Sequence, residues 1–196
     1  MQSLLPLAVF AFVSSITPGP NNIMLTSSGI RFGFVRSIPH MLGITVGFGV
    51  MLALCALGIG SLILAMPTLH IALKVIGSAY LLWLAWQLRR IVFHHNTAGD
   101  EHPFGFAGAA LFQFVNPKAW VMAVTGVAAF LPAVQPVGWA IALFCLVFCA
   151  VNLPCISVWA GTGAALRRYL TQPKWHRVFC IVMVILTLYS AAAIWQ

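Results

Sequence analysis

Asp100 and Glu101 are the only two acidic residues in a chain of 196, and they stand side by side. That scarcity excludes chemistry built on separated, paired carboxylates, and it leaves no Asp or Glu to relay a proton within an apolar stretch. Charge of either sign is sparse: 6% of residues are Asp, Glu, Lys or Arg, where a soluble domain carries about 25%. Cys55, Cys145, Cys149, Cys155 and Cys180 form no C-x-x-C pair and no zinc-ligand spacing, so they read as small apolar packing residues. The stretch "HHNTAGDEH" at 94–102 gathers histidines with both acids, but in a short polar connection. It is read as a solvated loop, and no metal or other cofactor is expected. Linkers and low-complexity tracts are also missing, which argues for one domain.

Apolar length is what the chain has. Hydrophobic residues make up 62% of it and the mean hydropathy is +1.01, values of an integral membrane protein. Apolar runs at residues 4–28, 39–66, 71–88, 104–131, 137–166 and 178–195 each approach or exceed the length of about 20 residues that a spanning helix needs. The expected fold is all-α, with six transmembrane helices filling most of the chain. The opening "MQSLLPLAVFAFVSS" has no basic flank and runs on into further apolar sequence. It is therefore expected to stay as the first span and not to be cleaved as a signal.

The net charge of +8 is distributed by loop. Arg31 and Arg36 follow segment 1, Arg89 and Arg90 follow segment 3, and Arg167, Arg168, Lys174 and Arg177 lie between segments 5 and 6. The connection after segment 2 offers Lys74 alone, and the one after segment 4 offers no basic residue. This alternation is the positive-inside pattern and places both termini outside, in the periplasm if the membrane is a bacterial inner membrane. It accounts for the basic balance without a nucleic-acid partner.

Segment 1 is interrupted by "SSITPGPNN". The piece from Leu4 to Ile16 reaches about 20 Å as a helix, short of a core of about 30 Å, so the interruption falls at membrane depth. Pro18 and Pro20 have no N–H, so the carbonyls of Ser14 and Ile16 lose their helical donors. Gly19 lets the chain turn between them, and Asn21 or Asn22 is placed to cap the helix that restarts. Backbone unpaired in lipid is costly and persists where protein or a wet cavity satisfies it. The break reads either as a proline kink that shapes packing or as part of a binding site. The pair of prolines around glycine, followed by two amides, favours the site.

Segment 4 repeats the device in "FQFVNPKAW", where Pro117 frees the carbonyl of Gln113 and Asn116 stands beside it. With three helices per half the two halves, about 1–95 and 104–196, run in opposite directions. The expectation is an inverted repeat of three plus three with helices 1 and 4 broken, the pattern that marks a midplane transport site. Segment 5 carries "VNLPC", expected as a third interruption, with Asn152 adding a polar group. Lys118 falls near the centre of segment 4 with no acid in any apolar segment to neutralise it. Either a substrate carboxylate pairs with it, or it snorkels to the inner surface. "GITVGFG" at 43–49 holds a small-xxx-small spacing suited to close helix contact.

"TPGPNN", "GFVRS", "GSAYLLWLAWQL" and "FQFVNPKAW" occur in this order over essentially the whole chain. Together they resemble the LysE/RhtB family of bacterial inner-membrane amino-acid exporters. "PGPNN", "QFVN" and "YLLWLAW" are most similar to its cysteine and O-acetylserine branch. The resemblance implies a secondary transporter, not an enzyme, that exports amino acids or their derivatives against a proton gradient. With no acid in the helices, coupling through His40 at the start of helix 2, coupling through the zwitterionic substrate itself and uncoupled efflux all stay open. The resemblance places Pro18, Gly19, Pro20 and Asn21 of the first motif, and Asn116, Pro117 and Lys118 of the fourth, at the substrate site. Asn22 and Asn152 join them from the reading of the residues themselves. The partners implied are a small amino-acid substrate, the lipid bilayer, protons and, as an open option, further copies of the chain. Two other classes stay open on the residues alone: a small channel and an intramembrane enzyme. Reporter fusions after Arg36, within residues 94–101 and after Arg168 should all read cytoplasmic, and a periplasmic reading at any one of them overturns the topology.

Overall fold

The computed structural model describes residues 4–58, 104–131, 136–167 and 172–193, together with scattered positions between 68 and 86 and residue 169. The described residues are helical throughout, with no strand among them. Seven α-helices follow in order: α1 (Leu4–Ile16), α2 (Pro20–Phe32), α3 (Ile38–Ala56), α4 (Phe106–Phe112), α5 (Pro117–Phe130), α6 (Val137–Leu166) and α7 (Pro173–Ala193). Most of the third apolar segment, the polar loop at 94–102 and the last residues of the sixth segment lie outside the described residues.

Glycine and proline set the boundaries. Pro18 and Pro20 end α1 and begin α2, and the two helices meet at an angle of 57°. Gly33 closes α2 at φ +84°, a conformation that residues with a Cβ rarely adopt, with its N–H on the Gly29 carbonyl at 2.9 Å. A 3₁₀ turn at Val35–Ser37 then leads into α3, which has proline in its first turn. Pro117 divides the fourth segment in the same way, with a 3₁₀ turn at Gln113–Val115 between α4 and α5.

Segment 4 is broken at Pro117 as expected, which puts Lys118 in the first turn of α5. Two other sequence-based expectations are corrected. "VNLPC" does not interrupt segment 5, because α6 runs unbroken for 30 residues with Pro154 inside it. The sixth segment begins as α7 at Pro173, ahead of the expected 178.

Among the described residues, α3 with its leading turn and α6 are each long and apolar enough to cross a membrane, and the bent pair α1–α2 makes a third if it is one span. Their outer faces carry exposed Leu5, Phe12, Val46, Trp139, Leu146 and Val158. So much exposed apolar surface suits lipid and not water. Inside, Phe48 of α3 and Phe144 and Phe148 of α6 stack edge to face, with ring centroids 5.2 and 6.2 Å from Phe148, and Leu7 and Ala11 of α1 close the cluster.

Lipid gives helices no hydrophobic reason to associate, so close backbone packing carries much of the attraction. At the α2–α6 crossing a Cβ on Gly29 would collide with the Ala160 carbonyl, and one on Gly163 with the Thr26 carbonyl. The expected small-xxx-small contact is present in α3. Gly43 and Gly47 lie against the Phe106 carbonyl and the Ala110 backbone of α4. A Cβ at Gly161, two residues before Gly163, would meet only Phe34 ring atoms at 3.8–3.9 Å. Gly163→Val should therefore lower the thermal midpoint in detergent, costing about 1–3 kcal/mol, while Gly161→Ala should leave it unchanged or raise it slightly. Equal effects from the two would show that the α2–α6 contact is not so close.

Candidate functional site

At the break between α1 and α2, five consecutive carbonyls stand where no regular helix continues, and each finds a donor. The Ser14 carbonyl accepts from Thr17 Oγ1 at 3.0 Å. Those of Ser15 and Thr17 accept from Asn22 Nδ2 at 2.9 and 2.7 Å. The Ile16 carbonyl accepts from Trp159 Nε1 of α6 at 3.1 Å. Lys118 Nζ donates to the carbonyls of Thr17, at 2.7 Å, and Pro18, at 3.1 Å, and to Thr17 Oγ1 at 2.9 Å. Since each carbonyl left unpaired in an apolar surround costs about 1–3 kcal/mol, these contacts decide whether the break is tolerated.

The second break is closed by shorter means. The Gln113 carbonyl, expected to be free, accepts from the Asn116 N–H at 3.2 Å within the 3₁₀ turn, and the Phe114 carbonyl accepts from Trp120 Nε1 at 2.9 Å. Asn116 is the N-cap of α5, its side chain accepting from the Lys118 N–H at 3.2 Å. Neither Asn21 nor Asn22 caps α2, whose N-cap is Gly19 with no side-chain bond. Asn22 turns back to the α1 carbonyls. Asn21 instead reaches the other break, giving Nδ2 to Gln113 Oε1 at 2.8 Å and accepting from Gln113 Nε2 at 3.2 Å. The two breaks thus hold each other through one reciprocal amide pair and one ammonium.

Beside this junction is a cleft open to solvent, about 330 Å³ when the open space at its mouth is included. Gly19, Pro20, Asn21, Asn22, Asn116, Lys118 and Asn152 line it. Pro18 and Pro117 do not, and act through the backbone as helix stop and helix start. Asn152 gives its Nδ2 to Ser15 Oγ at 3.0 Å, while its buried Oδ1 has no partner among the described residues. Sequence reasoning missed Thr17, Gln113, Trp159 and the apolar wall of Phe48, Met122 and Ile156. His40, at the start of α3, is 1% exposed, leans on the Phe104 ring at 5.4 Å and does not line the cavity.

Asn21→Leu should strand the buried Gln113 Oε1, while Nε2 keeps the Ala109 carbonyl at 2.8 Å, and cost about 1–3 kcal/mol; adding Gln113→Leu should recover part of that loss. Thermal melts of the two single variants and the double give the coupling. Additive losses would show that the amide pair is not an energetic unit.

The chain matches the LysE type translocator family over residues 12–194. It is 32% identical to a cysteine/O-acetylserine efflux protein of Salmonella choleraesuis over 193 residues, covering 94% of this chain and 93% of that one. The corresponding protein of Klebsiella pneumoniae is 32% identical over 185 residues, with 90% and 93% covered. That of Escherichia coli O139:H28 is 31% identical over 187 residues, with 94% and 93% covered. No solved structure matches. With the family matched along nearly its whole length and its two signature breaks joined at one cavity, this chain belongs to the LysE family of membrane translocators.

Proposed function

We propose that this protein carries amino acids or amino-acid derivatives, of the cysteine and O-acetylserine kind that its relatives' names specify, from the cytoplasm outward across the bacterial inner membrane. The observation that carries the reading is the cavity into which both broken segments open. It is lined by the first turns of α2 and α5, by Lys118 and by three Asn amides of the first break and α6, Asn21, Asn22 and Asn152. Helix starts carry the positive pole of the helix dipole, so two of them beside an ammonium favour a carboxylate; freed carbonyls and an unpartnered amide oxygen favour an ammonium. A zwitterionic amino acid offers both. Pro18, Gly19, Pro20, Asn21, Asn22, Asn116, Pro117, Lys118 and Asn152 are the substrate-site residues in this reading, some by contact and the prolines by shaping the backbone.

The same reading takes the chain as a single domain of six spans, two inverted halves of three, with both termini in the periplasm. Its support is reciprocal packing. The broken segment α1–α2 lies on α6 of the second half, and the broken segment α4–α5 lies on α3 of the first. Broken helices related in this way suit alternating access. Proton coupling is part of the proposal, and the buried imidazole of His40 is a group that could carry it.

The test is flux in proteoliposomes. Labelled L-cysteine, kept reduced, should exchange saturably and in preference to the D-isomer, and an imposed proton gradient should drive it. Pro18→Ala with Pro20→Ala returns N–H donors to the Ser14 and Ile16 carbonyls and straightens the helix. Flux should fall at least about tenfold at equal inserted protein, the effect of a loss of about 1.4 kcal/mol. Unsaturable flux blind to the stereocentre would favour a channel, and full flux in the double variant would reduce the break to a packing bend.

A further inference from the structure

The ammonium of Lys118 is held by three acceptors, the Thr17 carbonyl, Thr17 Oγ1 and the Pro18 carbonyl, at 2.7, 2.9 and 3.1 Å. Three acceptors are what a primary ammonium, with three N–H donors, can use. Two of them are carbonyls just past the C-terminal end of α1, where the helix dipole is negative. Lys118 itself starts in the first turn of α5, at a positive pole, and its side chain crosses to the opposite pole of another helix. The approach depends on Gly19, where a Cβ would lie 2.7 Å from Lys118 Cδ and 3.0 Å from Nζ. All three hydrogen bonds lie on the exposed side of the junction, within reach of an entering solute. Next to them Asn152 Oδ1, on a residue 5% exposed that lines the same cavity, is a buried acceptor without a donor among the described residues.

We propose that the Thr17–Pro18 cradle is the subsite for the substrate's α-ammonium, and that Lys118 is a tethered stand-in which the substrate displaces and which then pairs with the substrate's carboxylate. This rests on the exporter reading and names the recognition chemistry of that same site. The exchange swaps one primary ammonium for another on the same acceptors, so the carbonyls of the break are never left bare. It also gives Lys118 its counter-ion at the moment it lets go. Only a solute with both a free ammonium and a carboxylate completes the swap. An amine without a carboxylate would leave the displaced Lys118 unpaired, and an N-acylated amino acid could not take the cradle. Between substrates the ammonium ties the two breaks together, and substrate arrival unties them.

The test uses the full-length protein in proteoliposomes with reduced L-cysteine as labelled substrate, and cysteamine (no carboxylate) and N-acetyl-L-cysteine (no ammonium) as competitors. In the wild type, neither competitor should approach cysteine in apparent affinity. In Lys118→Met the cradle has no resident ammonium and the carboxylate has no partner. Cysteine should weaken roughly tenfold to a hundredfold while cysteamine competes as well as before or better, so that their affinity ratio falls at least about tenfold. Thr17→Val, which removes one acceptor, should weaken cysteine and cysteamine together. Gly19→Ala serves if Lys118→Met does not insert: it pushes Lys118 off the cradle but keeps the charge, so cysteamine should gain in affinity relative to cysteine. A ratio unchanged in both Lys118→Met and Gly19→Ala, with only the maximal rate or yield reduced, would make Lys118 a fixed rivet of the break and overturn the exchange. So would N-acetyl-L-cysteine competing as well as cysteine in the wild type. Failure of the wild type to move cysteine at all would instead count against the exporter reading on which the exchange rests.

Discussion

The rest of this structure depends on the backbone carbonyls released where α1 stops. In an apolar surround they must be given donors, and the chain draws those donors from three other elements: Asn22 from α2, Trp159 from α6 and Lys118 from α5. A defect in one helix thereby becomes the point at which four helices are tied together. The cavity follows from this, because Asn22 reaches back to the α1 carbonyls and leaves the start of α2 without a side-chain cap, beside the Asn116-capped start of α5. The first turns of α2 and α5 consequently line a common space, with the α6 amide of Asn152 completing it. Packing supports the same end. Glycine lets α2 and α6 touch backbone to backbone, and α3 and α4 do likewise, which holds the helices that flank the two breaks at fixed separation.

The breaks themselves were legible from proline chemistry, as were the cavity-lining asparagines and the close contact at Gly43 and Gly47. These are local rules, in which a missing N–H or a missing Cβ has the same effect in any fold. What could not be read was where the freed groups would go. Asn22, expected as a helix cap, stands as the third residue of α2 and turns back to the Ser15 and Thr17 carbonyls of the break. Lys118 was recognised as a charge without an acid. Its partners are the Thr17 carbonyl and hydroxyl and the Pro18 carbonyl, 101 and 100 positions away, and no sequence pattern records a carbonyl. Gln113 did carry a signal that went unused, as a side-chain amide in an apolar segment four residues before a proline. Trp159 carried none, since one aromatic among many on apolar helices does not announce a hydrogen-bonded indole. The opposite error came at Pro154: proline was read as a stop, but a long helix with neighbours on its flanks absorbs a single missing donor, whereas prolines paired around a glycine do not permit continuation.

The backbone contact at Gly29 and Gly163 has a mechanical meaning. Two rods brought backbone to backbone at one place resist separation there more than they resist rotation about that place. It is in effect a fulcrum on α2. The cavity end of the helix, at Asn21, lies eight residues away, about 12 Å along the axis. A tilt of about 10° about the contact would carry that end by about 2 Å, close to the difference between a hydrogen bond held and one released. A lever of this length needs no hinge loop and no bending of its own; the only bonds it must break are those at its tip.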